Sequence, residues 1–426
     1  MEAVAGLDIG SSHVVAAVAP VSDLNGPMAD PVTRGLAVGC SVTLGFRRGN
    51  ISDLPSLGRS IREALARAES AGGKKVNTAC IGLSGHSLEF CKKRYSNLIG
   101  KRRINLYDIQ RIRRLAQVSD LPPGRQIVQV LPLEYTVDGA PVAGEPLGMY
   151  CSRLEMECLI ITADSALVDC LMEAVRGNGV KVWDIFPSTL AAGEVLLNKA
   201  QQQLGTALVD MGSSCTGVLI YNHGYPAAYE VLPVGSDHIT SDLAVCLRTT
   251  LEAAEEIKRK VGLGLENIER QECTEKAGDP DKPAGSDKIG HEDTVTVPRL
   301  SGSGFNAVSR KTAVDIIEAR VCETLDMIGS SINRLTGGTD LPGGLVLAGG
   351  GSILKGLDIF APEYLGVKVQ RGIPGITVKN ADLTVNVAGA VGLLRYFLKR
   401  YWAEMTQHQP TSDLWSKVRG IFKISK

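Results

Sequence analysis

Nothing in this chain reads as a membrane crossing, because no apolar run approaches the roughly 20 residues that a helix needs to span a bilayer. The ten cysteines are scattered. They form no C-x-x-C pair and have no histidine at zinc-finger spacing, which argues against a zinc site or a disulfide framework and for a reduced cytosolic protein. The opening Met-Glu-Ala-Val-Ala-Gly-Leu-Asp has no charged-then-apolar signal layout. Net charge is also missing: Lys plus Arg number 46 and Asp plus Glu number 46. No basic excess points to a nucleic-acid partner, so none is expected.

What the chain does have is length and uneven charge. Its 426 residues can build about two to four units with substantial cores. Residues 91–117 carry nine Lys/Arg and one acid, Asp108, whereas 266–293 carry nine acids and four bases. Each block reads either as a solvated face or as a docking surface for a partner or a like subunit.

The strongest organisational signal is a repeat. Leu7-Asp-Ile-Gly-Ser-Ser12 returns as Val209-Asp-Met-Gly-Ser-Ser214, each time between two short apolar strands. The repeat predicts an α/β fold of two related halves facing one another. Strands are expected over Val4–Asp8, 14–21, Ala79–Leu83, Val128–Tyr135, Leu154–Ala163, Lys181–Phe186, Ala207–Asp210 and Gly217–Tyr221. Helices are expected over 57–72, Leu106–Val118, Ser165–Arg176, Leu190–Gln203, 311–334 and 386–401. Short strands after Gly85 suggest a small α/β unit inserted in the first half. The polar stretch 270–304 reads as a mobile loop. A third glycine turn, Leu345-Val-Leu-Ala-Gly-Gly-Gly-Ser-Ile-Leu354, opens the closing segment.

Each D-x-G-S-S turn sets an acid at a strand end beside backbone N–H groups and hydroxyls. Such N–H groups cradle phosphates, and Ser11 or Ser12 can donate to a terminal phosphate. Asp8 and Asp210 can hold Mg²⁺, mostly through water. Gly349, Gly350 and Gly351 would let backbone approach a nucleoside. Glu255 and Lys258, three apart on one helical face, could meet ribose hydroxyls and a base edge; alone they read equally as a surface ion pair.

The last fifteen residues, from Ser412, form an amphipathic pattern. Trp415, Val418, Ile421 and Phe422 share one face, flanked by Lys417, Arg419, Lys423 and Lys426. A helix of this kind can lie in the headgroup layer of an anionic membrane. A polar tether, about 402–411, precedes it. The bland alternative is a terminal helix docked on the protein's own body.

The order of phosphate turn, phosphate turn, E-x-x-K helix and G-G-G turn resembles the actin and heat-shock chaperone ATPase superfamily. Within it the chain is most similar to the FtsA family of bacterial cell-division proteins. The residues that carry this are Gly6–Ser12, Gly82-Leu-Ser-Gly85, Val130-Leu-Pro-Leu-Glu-Tyr135, Gly235–Leu243, Glu255–Lys258 and Gly344–Gly351. The resemblance implies an actin-like (ribonuclease H-like, duplicated) two-lobed ATPase fold with an inserted subdomain. Its first lobe would be 1–83, completed by 161–195 and 386–401, with the insertion at 84–160. Its second lobe would be 196–245, completed by 335–385, with a smaller subdomain at 246–334.

By the same resemblance, ATP and Mg²⁺ are the expected cofactors. Asp8, Gly10, Ser11, Ser12 and His13 would form the first phosphate turn, and Asp210, Gly212, Ser213 and Ser214 the second. Gly235 would begin a helix near the nucleotide, with Glu255 and Lys258 on ribose or base and Gly349–Gly351 with Ser352 on the adenosine side. The implied role is a filament-forming scaffold. It would tether FtsZ to the cytoplasmic face of the cell membrane at the division septum and recruit later division proteins, with FtsZ expected on 246–334. Three departures argue for binding with slow or no turnover. His13 stands where a lysine is usual, Ser213 and Ser214 replace glycines, and Gly217 replaces an acid. The alternative is a pilus-assembly scaffold resembling PilM, which shares the fold but would leave the basic tail unexplained. A sugar or acid kinase would need a catalytic base that no motif supplies.

Overall fold

The computed structural model describes residues 3–20, 36–264, 294–299, 304–375 and 387–407. The expected membrane helix 412–426, residues 408–411 of the tether and most of the polar stretch lie outside the described residues.

Two five-stranded sheets share one plan. In the first, β1 (Ala3–Ile9) pairs antiparallel with β2 (His13–Pro20) and parallel with β6 (Val76–Leu83). β2 continues to the edge strand β3 (Ala37–Val42), and β6 to β11 (Lys181–Pro187). In the second, β12 (Thr206–Met211) pairs antiparallel with β13 (Thr216–Asn222) and parallel with β17 (Leu345–Ala348). Here β14 (Tyr225–Leu232) and β18 (Val369–Arg371) close the two edges. The motif repeat therefore marks a repeat of whole sheets.

Helices cover both faces of the first sheet. On one side lies α1 (Leu54–Gly72), whose Ile61, Ala64, Leu65 and Ala68 are buried. Pro55 near its start supplies a pre-set φ, and Gly73 ends it in the left-handed region at φ 66°. On the other side runs the closing helix, Ala388–Gln407. Contact here is backbone to backbone. A Cβ on Gly39 would sit 2.0 Å from the Ala64 carbonyl of α1, and one on Gly6 would sit 2.0 Å from the Ala390 carbonyl of the closing helix. Gly6 pairs with Ala17 and Ala17 with Val38, so Gly39 faces the opposite way from Gly6.

Between β6 and α3 (Ser165–Arg176) sits a separate antiparallel sheet. Its strand order is β7 (Glu89–Arg103), β10 (Tyr150–Asp164), β8 (Arg125–Val137), β9 (Ala140–Val142). One face carries α2 (Leu106–Gln117), over a core of Ile99, Ile109, Ile112, Leu154 and Met156. Asn105 and Asp108 start that helix with a reciprocal capping box.

Four expectations need correction. The helix expected over Leu190–Gln203 is two, α4 (Ser188–Leu196) and α5 (Lys199–Leu204). Asn198 caps Gln201 and is capped in return, so a new helix starts there. The strands of the inserted unit are long, β7 and β10 having 15 residues each. The polar stretch is not loop throughout, since β15 (Thr294–Pro298) pairs with β16 (Phe305–Ser309). Finally, the closing helix continues to Gln407, six residues into the expected tether. The sequence Trp402-Ala-Glu-Met has no helix breaker to stop it.

Candidate functional site

The two D-x-G-S-S turns are the same hairpin built twice. The Gly10 N–H donates to the His13 carbonyl at 3.0 Å, and the Gly212 N–H to the Cys215 carbonyl at 2.9 Å. The ladder then places Asp8 opposite Val15 and Asp210 opposite Gly217. Each acid is thus fixed two residues before its turn, at the end of a central strand. The hairpins also touch, because the Ser214 hydroxyl donates to Ser11 Oγ at 2.9 Å.

The carboxylates are tied to neighbouring residues of one helix. Ser188 Oγ donates to Asp8 Oδ1 at 2.6 Å, and Thr189 Oγ1 donates to Asp210 Oδ2 at 3.0 Å. These hydroxyls stand in the first turn of α4, directly after β11. Sequence reasoning missed both; the only hint was a Pro-Ser-Thr run ending an apolar strand. Glycine keeps the surroundings tight. A Cβ on Gly389 would lie 2.2 Å from Asp8 Oδ2, and one on Gly349 would lie 2.5 Å from Asp210 Oδ1.

Charge in this nest is poorly compensated. Burial raises the Asp8 pKa above the usual carboxylate value despite the Ser188 hydrogen bond. Burial, and then the charge on Asp8, push Asp210 up to about 6, with Thr189 pulling the other way. The hydroxyls that hold them come from adjacent residues, Ser188 and Thr189, so both acids are tied to the start of one helix. A half-buried pair of carboxylates with one hydroxyl apiece suits a hard cation or its hydrated form.

The remaining expected residues divide. His13 shares a 2.8 Å hydrogen bond with Ser12. Burial and then the nearby charge of Arg259 lower its pKa, against Glu255, so near neutral pH it supplies no cation. Arg259, held to Glu255 at 2.9 Å, is the positive group on that side and was not anticipated. Gly235 caps α6 (Ser236–Leu247), and its N–H donates to His238 Nδ1 at 3.1 Å. A side chain on Gly235 would strike the Ser213 carbonyl at 2.5 Å, so α6 begins pressed against the second hairpin.

Lys258, on α7 (Leu251–Val261), is buried. Its ammonium reaches Glu255 at 2.6 Å, Thr240 Oγ1 at 2.9 Å and the Ser236 carbonyl at 3.1 Å. All three donors are engaged, which binds α7 to the first turn of α6. Burial opposes ionisation of Glu255, but hydrogen bonds from Lys258 and Thr240 outweigh it and hold its pKa low.

In the third glycine turn, Gly349 has φ 80° and packs on the Met211 carbonyl. The buried Ser352 hydroxyl donates back to Gly349 at 2.7 Å. Gly350 is exposed, with open space where a side chain would be. The need for glycine at 349 therefore comes from packing on the second hairpin, while Gly350 presents backbone to solvent.

Similar proteins fit this picture. A family model described as cell division protein FtsA matches residues 207–390, and one described as the SHS2 domain inserted in FTSA matches 82–162. The cell division protein FtsA of Bacillus subtilis strain 168 is 29% identical over 384 residues, 87% of this chain and 81% of that protein. Among solved structures, the fold is similar to a chain of the PilM–PilN type IV pilus biogenesis complex. The TM-score is 0.63 at 18% identity, covering 93% of this chain and 98% of that one. MreB5 of Spiroplasma citri bound to ADP follows at TM-score 0.51 and 11% identity, covering 96% and 99%. These neighbours make the fold actin-like, with the four-stranded sheet as its insertion. Matched on both sides of the insertion boundary and along most of a relative, the chain belongs to the FtsA family of cell division proteins.

Proposed function

We propose that the junction of the two hairpins binds Mg-ATP, and that the protein is an actin-like scaffold for cell division. The observation that carries this reading is the acid pair, Asp8 and Asp210, held by adjacent hydroxyls of one helix beside two matching turns. A divalent cation would relieve the charge that burial leaves uncompensated there. Asp8 and Asp210 would hold it, mostly through water. Ser11, Ser12, Ser213 and Ser214 with Gly10 and Gly212 would face the phosphates, and Gly235, Glu255, Gly350 and their neighbours the nucleoside. Magnesium would supply charge neutralisation of the polyphosphate. This chain's own part is to position, since His13 is neutral and Gly217 carries no carboxylate; binding with slow or no turnover follows.

In this reading the tail 412–426, through Trp415, Val418, Ile421 and Phe422 with Lys417, Arg419 and Lys423, anchors the protein to anionic lipid on the cytoplasmic face. The body forms filaments and tethers FtsZ at the septum, where later division proteins gather. The family supports the division role, and the amphipathic pattern supports the anchor. The pilus-scaffold alternative shares the fold, but curated relatives matching most of the chain are division proteins.

Titration calorimetry with Mg-ATP on the parent and on Asp210→Ala tests the junction: the variant should bind at least tenfold more weakly. Equal affinities would remove the acid pair from nucleotide binding. Co-pelleting with anionic vesicles and FtsZ, with and without residues 412–426, tests the tether.

A further inference from the structure

The inserted unit ends in a surface that its own fold leaves open. At the far end of the β7–β10 ladder, Arg103 pairs with Tyr150, and the Ile104 N–H donates to the Met149 carbonyl at 2.9 Å. Gly148 N–H returns to the Ile104 carbonyl at 2.8 Å. These bonds bring the loop before β10 against the start of α2. Large apolar side chains gather there in solvent: Tyr107 and Tyr150 are 60% and 67% exposed, Leu147 and Met149 56% and 42%. Leu106 is also exposed. An apolar cluster of this kind on a small unit marks a contact surface rather than scatter.

Cations frame the cluster. Arg103 lies over the Tyr150 ring at 4.8 Å. Arg111 follows Tyr107 by one helical turn on the same face of α2. Gly100 and Lys101 both have positive φ, 79° and 52°, where the β7–β10 register shifts. That bulge turns Lys101 out at the same end. Among the described residues, Lys101, Arg103 and Arg111 form no ion pair. Arg102 differs, since Asp108 holds it in a fork of 2.6 and 2.7 Å.

Tyrosines, Leu and Met ringed by unpaired cations are the chemistry of a surface that enters an anionic headgroup layer. The closing helix, which leads toward the basic tail, meets the inserted sheet at the end opposite this tip, since Gln129 pairs with Ile161, eleven residues along β10 from Tyr150. Tyr396 donates to Gln129 of β8 at 3.1 Å. We propose that the tip of the inserted unit is a second contact with anionic lipid, acting in addition to the tail. This rests on the membrane role proposed above. A single short amphipathic anchor binds weakly and reversibly, whereas two linked contacts multiply.

The test is vesicle co-sedimentation with phosphatidylglycerol/phosphatidylcholine liposomes against pure phosphatidylcholine. Four proteins are compared: the full chain, the chain ending at residue 411, and full chains carrying either Tyr107→Asp with Met149→Asp or Lys101→Glu with Arg111→Glu. All four substituted side chains are exposed, and circular dichroism verifies folding. The expected result is weak binding of the truncated chain that requires phosphatidylglycerol, and about tenfold weaker binding of both full-length variants. If both variants bind as the parent does while truncation abolishes binding, the tip is not a lipid contact and the tail reading stands. If truncation changes nothing, the tail reading fails instead. Retention of the truncated chain on an immobilised poly-glutamate peptide but on no vesicle would overturn the lipid assignment in favour of an acidic protein partner.

Discussion

Ser214 and Ser11 share a hydrogen bond of 2.9 Å, although 203 residues separate them and each caps a hairpin on a different sheet. The two halves therefore meet through the hydroxyls expected to face phosphate. Separating the hairpins at this point breaks one bond, and replacing it requires an acceptor in the same place.

Loss of that contact should loosen both hairpins. A half-buried hydroxyl pair contributes about 1 kcal/mol. Ser214→Ala should therefore speed amide hydrogen exchange at 10–13 and 212–215 about fivefold, leaving β7 and β10 unchanged. Unchanged exchange at both turns would mean that the bond carries no closure energy.

Asp210 makes stability depend on pH in an unusual direction. A carboxyl whose pKa is higher in the folded state favours folding fully below its unfolded value of 3.8. It loses that contribution as pH rises through about 6. At pH 7.5 the ionised side chain should cost about 3 kcal/mol. Asp210→Asn should then raise the melting temperature at pH 7.5 by a few degrees, have little effect near pH 4, and still weaken Mg-ATP binding. A variant less stable than the parent at both pH values would contradict the burial argument.

Lys258→Met should destabilise the second lobe by about 1–2 kcal/mol, because it removes the buried ammonium that joins α7 to Thr240 and the Ser236 carbonyl of α6, while Arg259 still pairs with the half-buried Glu255. Urea denaturation reads this directly. A loss of nucleotide affinity with no loss of stability would show that Lys258 is spent on ligand, not on joining α6 to α7.

Gly392 should tolerate no side chain. A Cβ there would fall 1.9 Å from the Ala191 carbonyl, where the closing helix crosses α4. Gly392→Ala should cost more than about 3 kcal/mol or leave the protein insoluble. By contrast, Gly350→Ala meets open space and should fold normally. Similar melting curves for the two variants would refute this packing.

Much of the fold could be read because the chain repeats itself. Asp8-Ile-Gly-Ser-Ser12 and Asp210-Met-Gly-Ser-Ser214 share a hairpin register down to the hydrogen bond, and local sequence suffices for that. What could not be read depends on distant contacts. Ser188 and Thr189 look like the ordinary start of a helix; only the crossover from β11 brings them to acids on two different sheets. Gly349 read as a surface for a ligand, yet a neighbouring carbonyl imposes its glycine. The inserted unit's charge was legible from residues 91–117, but its orientation was not, since a bulge at Lys101 and a loop some 45 residues later shape the tip.

The closing helix has its second residue, Gly389, against the Asp8 carboxylate. Its twenty residues make a rod about 30 Å long. Gly6 and Gly392 clamp it so closely that it cannot slide independently of β1 or α4. Any repositioning of Asp8 is thereby handed on, as displacement of a stiff strut, to the far end of that helix.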